Sequence, residues 1–339
     1  MKMDYSSQTP KLVVHIGLGK TGTTTLQKHF FPKMCNKHRI IYNPPEFVKI
    51  KNHISLVPDN DKKNIQKIVA SKNVLISHEA LVDWNPVNWE IAADRVLDLF
   101  GNHANIVITV RETIGYLTSV YTQQVLSGNV IDPHGFFVSS DVYDYLSPFL
   151  SERYLLRFNK DIFDLQRLIS LYNKRFENVF VLPVSRYNSL YPWVDIFEIS
   201  ESEREYLYEL IKAAPRLNAS YSKRSIRWTL LRERFLNLRG LRSRGSSDLP
   251  SDIFNPKSNI LSFASLNLSS KIKQTPKRLI VRILKRSRWR WFMTRVVDKT
   301  LPYEKYRLPV SISFNDALIS SNNRFIEEIE KHIDEIRGS

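Results

Sequence analysis

Leu12-Val-Val-His-Ile-Gly-Leu-Gly-Lys-Thr-Gly-Thr-Thr-Thr-Leu-Gln27 is the stretch whose reading decides the fold. Leu12 to Ile16 is a short apolar run and reads as a buried strand. The chain then passes through Gly17, Gly19 and Gly22 to Thr23, which is expected to cap a helix running to about Met34. A strand, a glycine-rich loop and a helix N-terminus make a cradle for an anion. Glycines let backbone N–H groups turn inward, and the helix adds the positive end of its dipole. Working outward, apolar β-branched runs predict further strands at 39–42, 74–77, 105–110 and 178–182. Helical patterns lie near 23–34, 61–70, 88–100, 113–127 and 161–175, and Pro44-Pro45 closes the second strand. This alternation predicts an α/β fold with a mostly parallel sheet of about five strands covered by helices on both faces.

The order of residues in the loop selects the anion. In a Walker A loop, lysine and then serine or threonine follow the last glycine directly, so that the hydroxyl can hold magnesium. Here Thr23 follows Gly22, and Lys20 comes two residues before it. The pattern His-Ile-Gly-x-x-Lys-Thr-Gly-Thr-Thr-x-Leu-Gln instead resembles the 5′-phosphosulfate loop of sulfotransferases that use 3′-phosphoadenosine 5′-phosphosulfate, above all their bacterial carbohydrate-modifying branch. The resemblance implies a P-loop NTPase-like three-layer sandwich. It also implies that Gly19, Lys20, Thr21, Gly22, Thr23, Thr24 and Thr25 surround the phosphosulfate. A second motif follows the strand Asn105 to Val110: Arg111 at the strand end, Ser119 eight residues later, then Tyr121. It resembles the family's 3′-phosphate site, in which Arg111 would act as a planar, permanently charged fork and Ser119 would donate a further hydrogen bond. Arg216 to Lys223 resembles the Asn-x-Ser form of the loop that covers the adenine, assigning Asn218, Ser220 and Lys223. The usual glycine-rich version of that loop is absent, and a surface loop with an incidental lysine fits the same residues.

Sulfuryl transfer needs a less basic leaving phosphate and a more nucleophilic acceptor hydroxyl. Lys20 suits the first task, since its ammonium can meet the charge that collects on the bridging oxygen. Val74-Leu-Ile-Ser-His-Glu79 carries candidates for the second at the C-terminal end of a strand, where ligands gather in open α/β sheets. It resembles the Ser-x-Glu-x-Leu segment of related sulfotransferases, which assigns Glu79 as general base with His78 as its rival. No metal is required by this scheme, because positioning and fixed cations suffice for an in-line transfer. Neither Leu75-Ile-Ser77 nor Ile106 to Val110 ends in the aspartate of a magnesium-using enzyme. Cys35 is the only cysteine, and the eight histidines lack paired ligand spacing.

A chain of 339 residues with 42% hydrophobic content can bury one large core. The expected organisation is a core over 1–240 with an aromatic insertion at 128–158, a loop or linker at 241–275, and a basic helical region with a C-terminal helix over 276–339. Phe136, Phe137, Tyr143, Tyr145, Phe149 and Tyr154 in the insertion are open to two readings, a lid that stacks on sugars or a satellite core. A single cysteine, a start without an apolar leader and no run of about 18 apolar residues lead us to expect a bacterial cytoplasmic enzyme.

The net charge of +16 is concentrated. Residues 223–244 hold eight Lys or Arg against one acid, and 271–300 hold eleven against one. Residues 276–297 interleave arginines with Leu279, Ile283, Trp291 and Phe292, which suits an anionic membrane at the inner face, a track for an acidic glycan, or a solvated helix packed on the core. No recognised nucleic-acid motif is present. The function expected is transfer of a sulfuryl group to a hydroxyl of a carbohydrate or glycolipid. A P-loop kinase-like phosphotransferase and a non-catalytic polyanion- or membrane-binding protein are the alternatives.

Overall fold

The five expected strands form, and together they make one sheet. In the computed structural model, which describes residues 10–51, 57–150, 157–214, 221–238 and 286–338, these are β1 (Leu12–His15), β2 (Ile41–Tyr42), β3 (Val74–Ser77), β4 (Asn105–Val110) and β5 (Asn178–Pro183). Their order is β2-β3-β1-β4-β5, and every neighbouring pair is parallel. β1 and β3 are buried along their whole length because helices cover both faces, which is why their sequences are apolar throughout rather than alternating. The chain runs from β1 outward to β2, returns through β3, and then crosses to the other side for β4 and β5. The order therefore reverses around β1, and the carboxyl ends of β3, β1 and β4 open on one edge of the sheet. Crevices at such a reversal are where α/β sheets hold ligands. The architecture is a three-layer α/β sandwich of P-loop type.

Helices follow the expected segments closely, at Asp59–Val69, Trp89–Phe100, Thr113–Ser127 and Leu165–Asn173. Two details differ from expectation. Thr23 is the first helical residue and not the cap; Gly22 takes the cap position in a left-handed conformation at φ 81°, with no side-chain bond to the helix end. The helix also runs beyond Met34, as Thr23–Thr25, a wide π turn at Leu26–Phe30, and Phe31–Lys37. Pro32 explains the π turn, since it has no N–H to donate and its ring crowds the preceding turn unless the helix widens there. Leu26, Phe30, Phe31 and Met34 from this helix pack with Val13, Leu75, Val107, Leu182 and Trp193 into the main apolar core.

The described chain separates into two compact units, which cut across the segments expected from composition. The first comprises residues 1–120, 159–219 and 314–339 and contains the whole sheet. It also contains the C-terminal helix Asp316–Gly338, which is tied in by side chains. Asn322, fully buried, accepts from Leu165 N at 2.8 Å and donates to Phe163 O at 2.8 Å. Asn323 accepts from Thr113 N at 3.1 Å.

The second unit comprises residues 121–158 and 220–313. Phe136, Phe137, Tyr143 and Phe158 are buried there, with Phe136 and Phe137 centroids 4.8 Å apart and Phe137 and Phe158 5.5 Å apart. These aromatics form a satellite core, while Tyr145 remains exposed. Tyr154 and the side chain of Phe149 lie outside the described residues, as do 241–275 and 276–285. The remainder of the basic region forms Arg286–Phe292 and a π turn at Met293–Val297. Met293 and Val297 are buried, and Trp289 donates to Thr229 Oγ1 at 3.0 Å on the Lys223–Leu238 helix. No helix among the described residues is long and apolar enough to cross a membrane.

Truncating Asn322 strands one buried N–H and one buried C=O. Asn322→Ala is therefore expected to lower unfolding free energy by about 2–4 kcal/mol, measured by urea denaturation.

Candidate functional site

Close approach of backbone to side chain shapes the loop after β1. A Cβ on Gly17 would lie 2.3 Å from Thr23 Cγ2 and 2.5 Å from Thr109 Oγ1, so no larger residue fits without moving β4 or the helix. Thr21 is fully buried, and its hydroxyl donates to Leu18 O at 2.6 Å and lies 2.7 Å from Thr109 Oγ1. Its side chain thus pins the loop to β4, which leaves its backbone as the part that can face a ligand. Gly22 is exposed, and the Tyr187 ring lies 3.3 Å from the position a Cβ would take there. Tyr187 also donates its hydroxyl to Thr21 O. Burial raises the Tyr187 pKa above the ordinary phenol value, so the hydroxyl keeps the proton it donates.

Lys20 sits in the left-handed region at φ 73°, costly for a non-glycine residue. Its carbonyl accepts from Arg111 Nη1 at 3.4 Å. The two motifs separated by about ninety residues of sequence thereby meet at one place on the sheet edge. Arg111 is half-buried and projects from the end of β4. Ser119 lies in the second turn of the Thr113–Ser127 helix, also half-buried. Thr23 is buried, and Thr24 and Thr25 are half-buried in the first helical turn. Asn218 and Ser220 lie outside the described residues. Lys223 begins a helix of the second unit and is paired with Glu304, whose carboxyl that lysine holds below its usual range.

The end of β3 places its two base candidates differently. His78 caps the short Glu79–Leu81 helical turn, its Nδ1 accepting from Ala80 N at 3.2 Å, and its ring packs edge-on against Phe47 at 6.1 Å. Burial first, and the Lys51 charge second, lower its pKa. Glu79 is exposed, and its Oε2 lies 3.9 Å from where a Cβ on Gly19 would sit. Glu79 therefore reaches over the loop, whereas the basic nitrogen of His78 is already engaged.

A buried polar network that sequence reasoning missed lies beneath both. His15 Nδ1 is 2.7 Å from Ser77 Oγ, and Gln27 Nε2 donates to that oxygen at 3.1 Å. Asn43 exchanges two bonds with the Ser77 backbone, accepting from its N at 2.8 Å and donating to its O at 3.2 Å. The contact with Ser77 occupies Nδ1 of His15 and leaves Nε2 as the remaining ring nitrogen. That nitrogen has no hydrogen-bond partner and lies 3.3 Å from the Cβ position of Gly17. A buried, unpartnered ring nitrogen thus sits directly under the glycine loop. Thr109 and Asn323 were also missed. The signal for His15 and Thr109 was available, as polar residues inside runs that otherwise read as fully buried strands.

Among the described residues, no group of three or more His, Cys, Asp or Glu side chains is placed to hold a metal ion. No family model matches the chain, and no curated protein matches it.

Gly17→Ala is expected to cost about 1–3 kcal/mol through overpacking and to weaken anion binding in the same sample, read by urea denaturation and calorimetry. His15 yields a pH prediction. Burial holds its pKa at about 3 against 6.5 for the free group, so the unfolded chain binds more protons between those values. The stability linked to His15 is intact above pH 6.5 and is lost as pH falls towards 3. The expected slope is about 1.4 kcal/mol per pH unit at most. In His15→Asn, urea midpoints measured across this range should fall less steeply.

Proposed function

We propose that the chain is a sulfotransferase, moving a sulfuryl group from 3′-phosphoadenosine 5′-phosphosulfate to a hydroxyl of a carbohydrate or glycolipid acceptor. The observation that carries this reading is the contact of Arg111 with the Lys20 carbonyl, which makes one cationic site of two sequence motifs. A cradle closed to any side chain at Gly17 and a lysine held in the left-handed region at φ 73° suit a bound anion. In this reading the loop from Gly19 to Thr25 holds the 5′ end of the donor. Arg111 and Ser119 hold its 3′-phosphate.

The reaction balances with residues of this chain. Glu79 takes the proton of the acceptor hydroxyl as its oxygen bonds to sulfur. The bond from sulfur to the bridging oxygen breaks, and Lys20 neutralises the charge left on the phosphate. Glu79 is favoured over His78 because its carboxylate stands exposed by Gly19, while His78 spends its acceptor nitrogen on Ala80 N. The scheme uses no metal ion. Cys35 is the single cysteine and is buried, so no disulfide forms within the chain, and we assign the enzyme to the cytoplasm.

Thermal shift tests the donor. The product nucleotide, 3′-phosphoadenosine 5′-phosphate, should raise the melting temperature without added metal, and ATP with Mg²⁺ should do so much less. Lys20→Ala and Arg111→Ala should each remove most of the shift. Equal stabilisation by ATP would favour a P-loop kinase instead, and no response to either nucleotide would favour a non-catalytic binding protein. For the base, Glu79→Gln should bind nucleotide normally and lose about 10²–10⁴-fold in turnover of labelled donor. Near-normal turnover in Glu79→Gln with loss in His78→Ala would reverse the two roles.

A further inference from the structure

The second unit carries an exposed apolar stripe bordered by arginines. On the Lys223–Leu238 helix, Trp228, Leu231 and Phe235 are exposed by 44%, 60% and 43%. Their spacing of three and four residues puts them on one face. Arg227 and Arg234, both exposed, run along one side of that stripe. The opposite face is buried through Ser225, Ile226, Thr229, Arg232 and Glu233, so the helix has a satisfied inner side and an apolar outer one. The neighbouring Arg286–Phe292 helix adds Trp291 at 61% and Phe292 at 37% exposure, next to exposed Arg290 and Arg295.

The acids of this region are already engaged. Glu233 is buried against Arg232 at 3.1 Å, and Asp298 accepts from Ser225 Oγ at 2.6 Å. Glu304 is paired with Lys223, and Asp132 lies 3.7 Å from Arg234. Among the described residues, the Lys223–Leu238 helix carries five cations against one acid, and that acid is buried on the face away from the stripe.

We propose that this face docks on an anionic lipid bilayer, with Trp228, Leu231 and Phe235 entering the headgroup boundary and Arg227 and Arg234 meeting lipid phosphates. Charge complementarity selects this occupant. A neutral apolar partner offers no counter-charge to the arginine edge of the stripe, and a soluble polyanion leaves three large apolar side chains in water. The inference goes beyond the sulfotransferase reading and does not depend on it, because every residue named lies outside the unit that carries the nucleotide loop.

Flotation of the full chain with vesicles tests it, using phosphatidylcholine alone and phosphatidylcholine with about one third phosphatidylserine. Capture is expected with the anionic vesicles only. Paired Trp228→Ser and Leu231→Asp changes should weaken capture about tenfold or more, and Arg227→Glu with Arg234→Glu by a similar factor. Circular dichroism and nucleotide response should stay unchanged, since these side chains are exposed. Three results overturn the proposal: no capture, equal capture by neutral vesicles, or capture that survives both variant pairs. A dimer in sedimentation that the same changes abolish would assign the stripe to a second copy of the chain and equally overturn it. So would tighter retention on a soluble sulfated oligosaccharide than on the vesicles.

Discussion

A contact between two hydroxyls fixes the working edge of this protein. Thr21 Oγ1 and Thr109 Oγ1 lie 2.7 Å apart in the core, joining the loop after β1 to the end of β4. The contact forms only because Gly17 offers no side chain: a Cβ there would lie 2.5 Å from Thr109 Oγ1. Arg111 follows Thr109 by two residues on the same strand exit, so placing Thr109 also places the guanidinium beside Lys20. Register then does the rest. Val14 pairs with both Ile76 and Ile106, which brings the ends of β3 and β1 level at Ser77 and His15 while β4 runs on past Val107 to Val110, so Glu79, Gly19 and Arg111 emerge at the same end of the sheet.

The C-terminal helix holds this edge from behind, in the same unit. Arg186 makes a two-pronged bond to Asp334 at 2.8 and 2.7 Å, and Ser185 donates to Glu330. The Val184–Ser189 turn therefore cannot drift, and it carries Tyr187. Arg186 and Asp334 are partly exposed, so their worth lies in orientation more than in stability. Asn323 binds the first N–H of the Thr113–Ser127 helix, the helix that carries Ser119. Residues more than two hundred positions from the loop thus position it on two sides.

The sheet was legible in the sequence because its strands are short, apolar and β-branched, a pattern that solvent-facing segments do not share. The loop was legible for another reason, the cost of three glycines within six residues. What escaped depends on distant partners. Thr23 looked like a cap by residue type, yet the helix begins at a left-handed Gly22, and only the geometry of the turn reveals that the threonine has moved inside. Asn322 and Asn323 lie in a helical pattern where asparagine is a poor former. That mismatch is readable, but Leu165, Phe163 and Thr113 as its partners are not. Two units interleaved in the chain also defeat a reading by composition, since residues 121–158 and 220–313 are joined only by folding. Of the candidate site, residue types and strand ends were legible; that His78 spends its Nδ1 on Ala80 N was not.

Lys20 shows how the loop can work with fixed charges. A left-handed lysine costs about 1–3 kcal/mol and relaxes unless its neighbours over-determine it. Here Thr21 on one side is bonded through its hydroxyl, while its carbonyl accepts from Tyr187, and the carbonyl of Lys20 itself accepts from Arg111. These groups are engaged before any ligand arrives. An anion entering the cradle therefore meets donors that need little reordering, and interaction energy that a floppy loop would lose to ordering is available for binding. Beside the cradle, Glu79 Oε2 reaches to 3.9 Å from the position a Cβ would take on Gly19. In the sulfotransferase reading we propose, Lys20 and Glu79 divide the work of an in-line transfer, the lysine meeting the leaving oxygen and the carboxylate the proton of the attacking one.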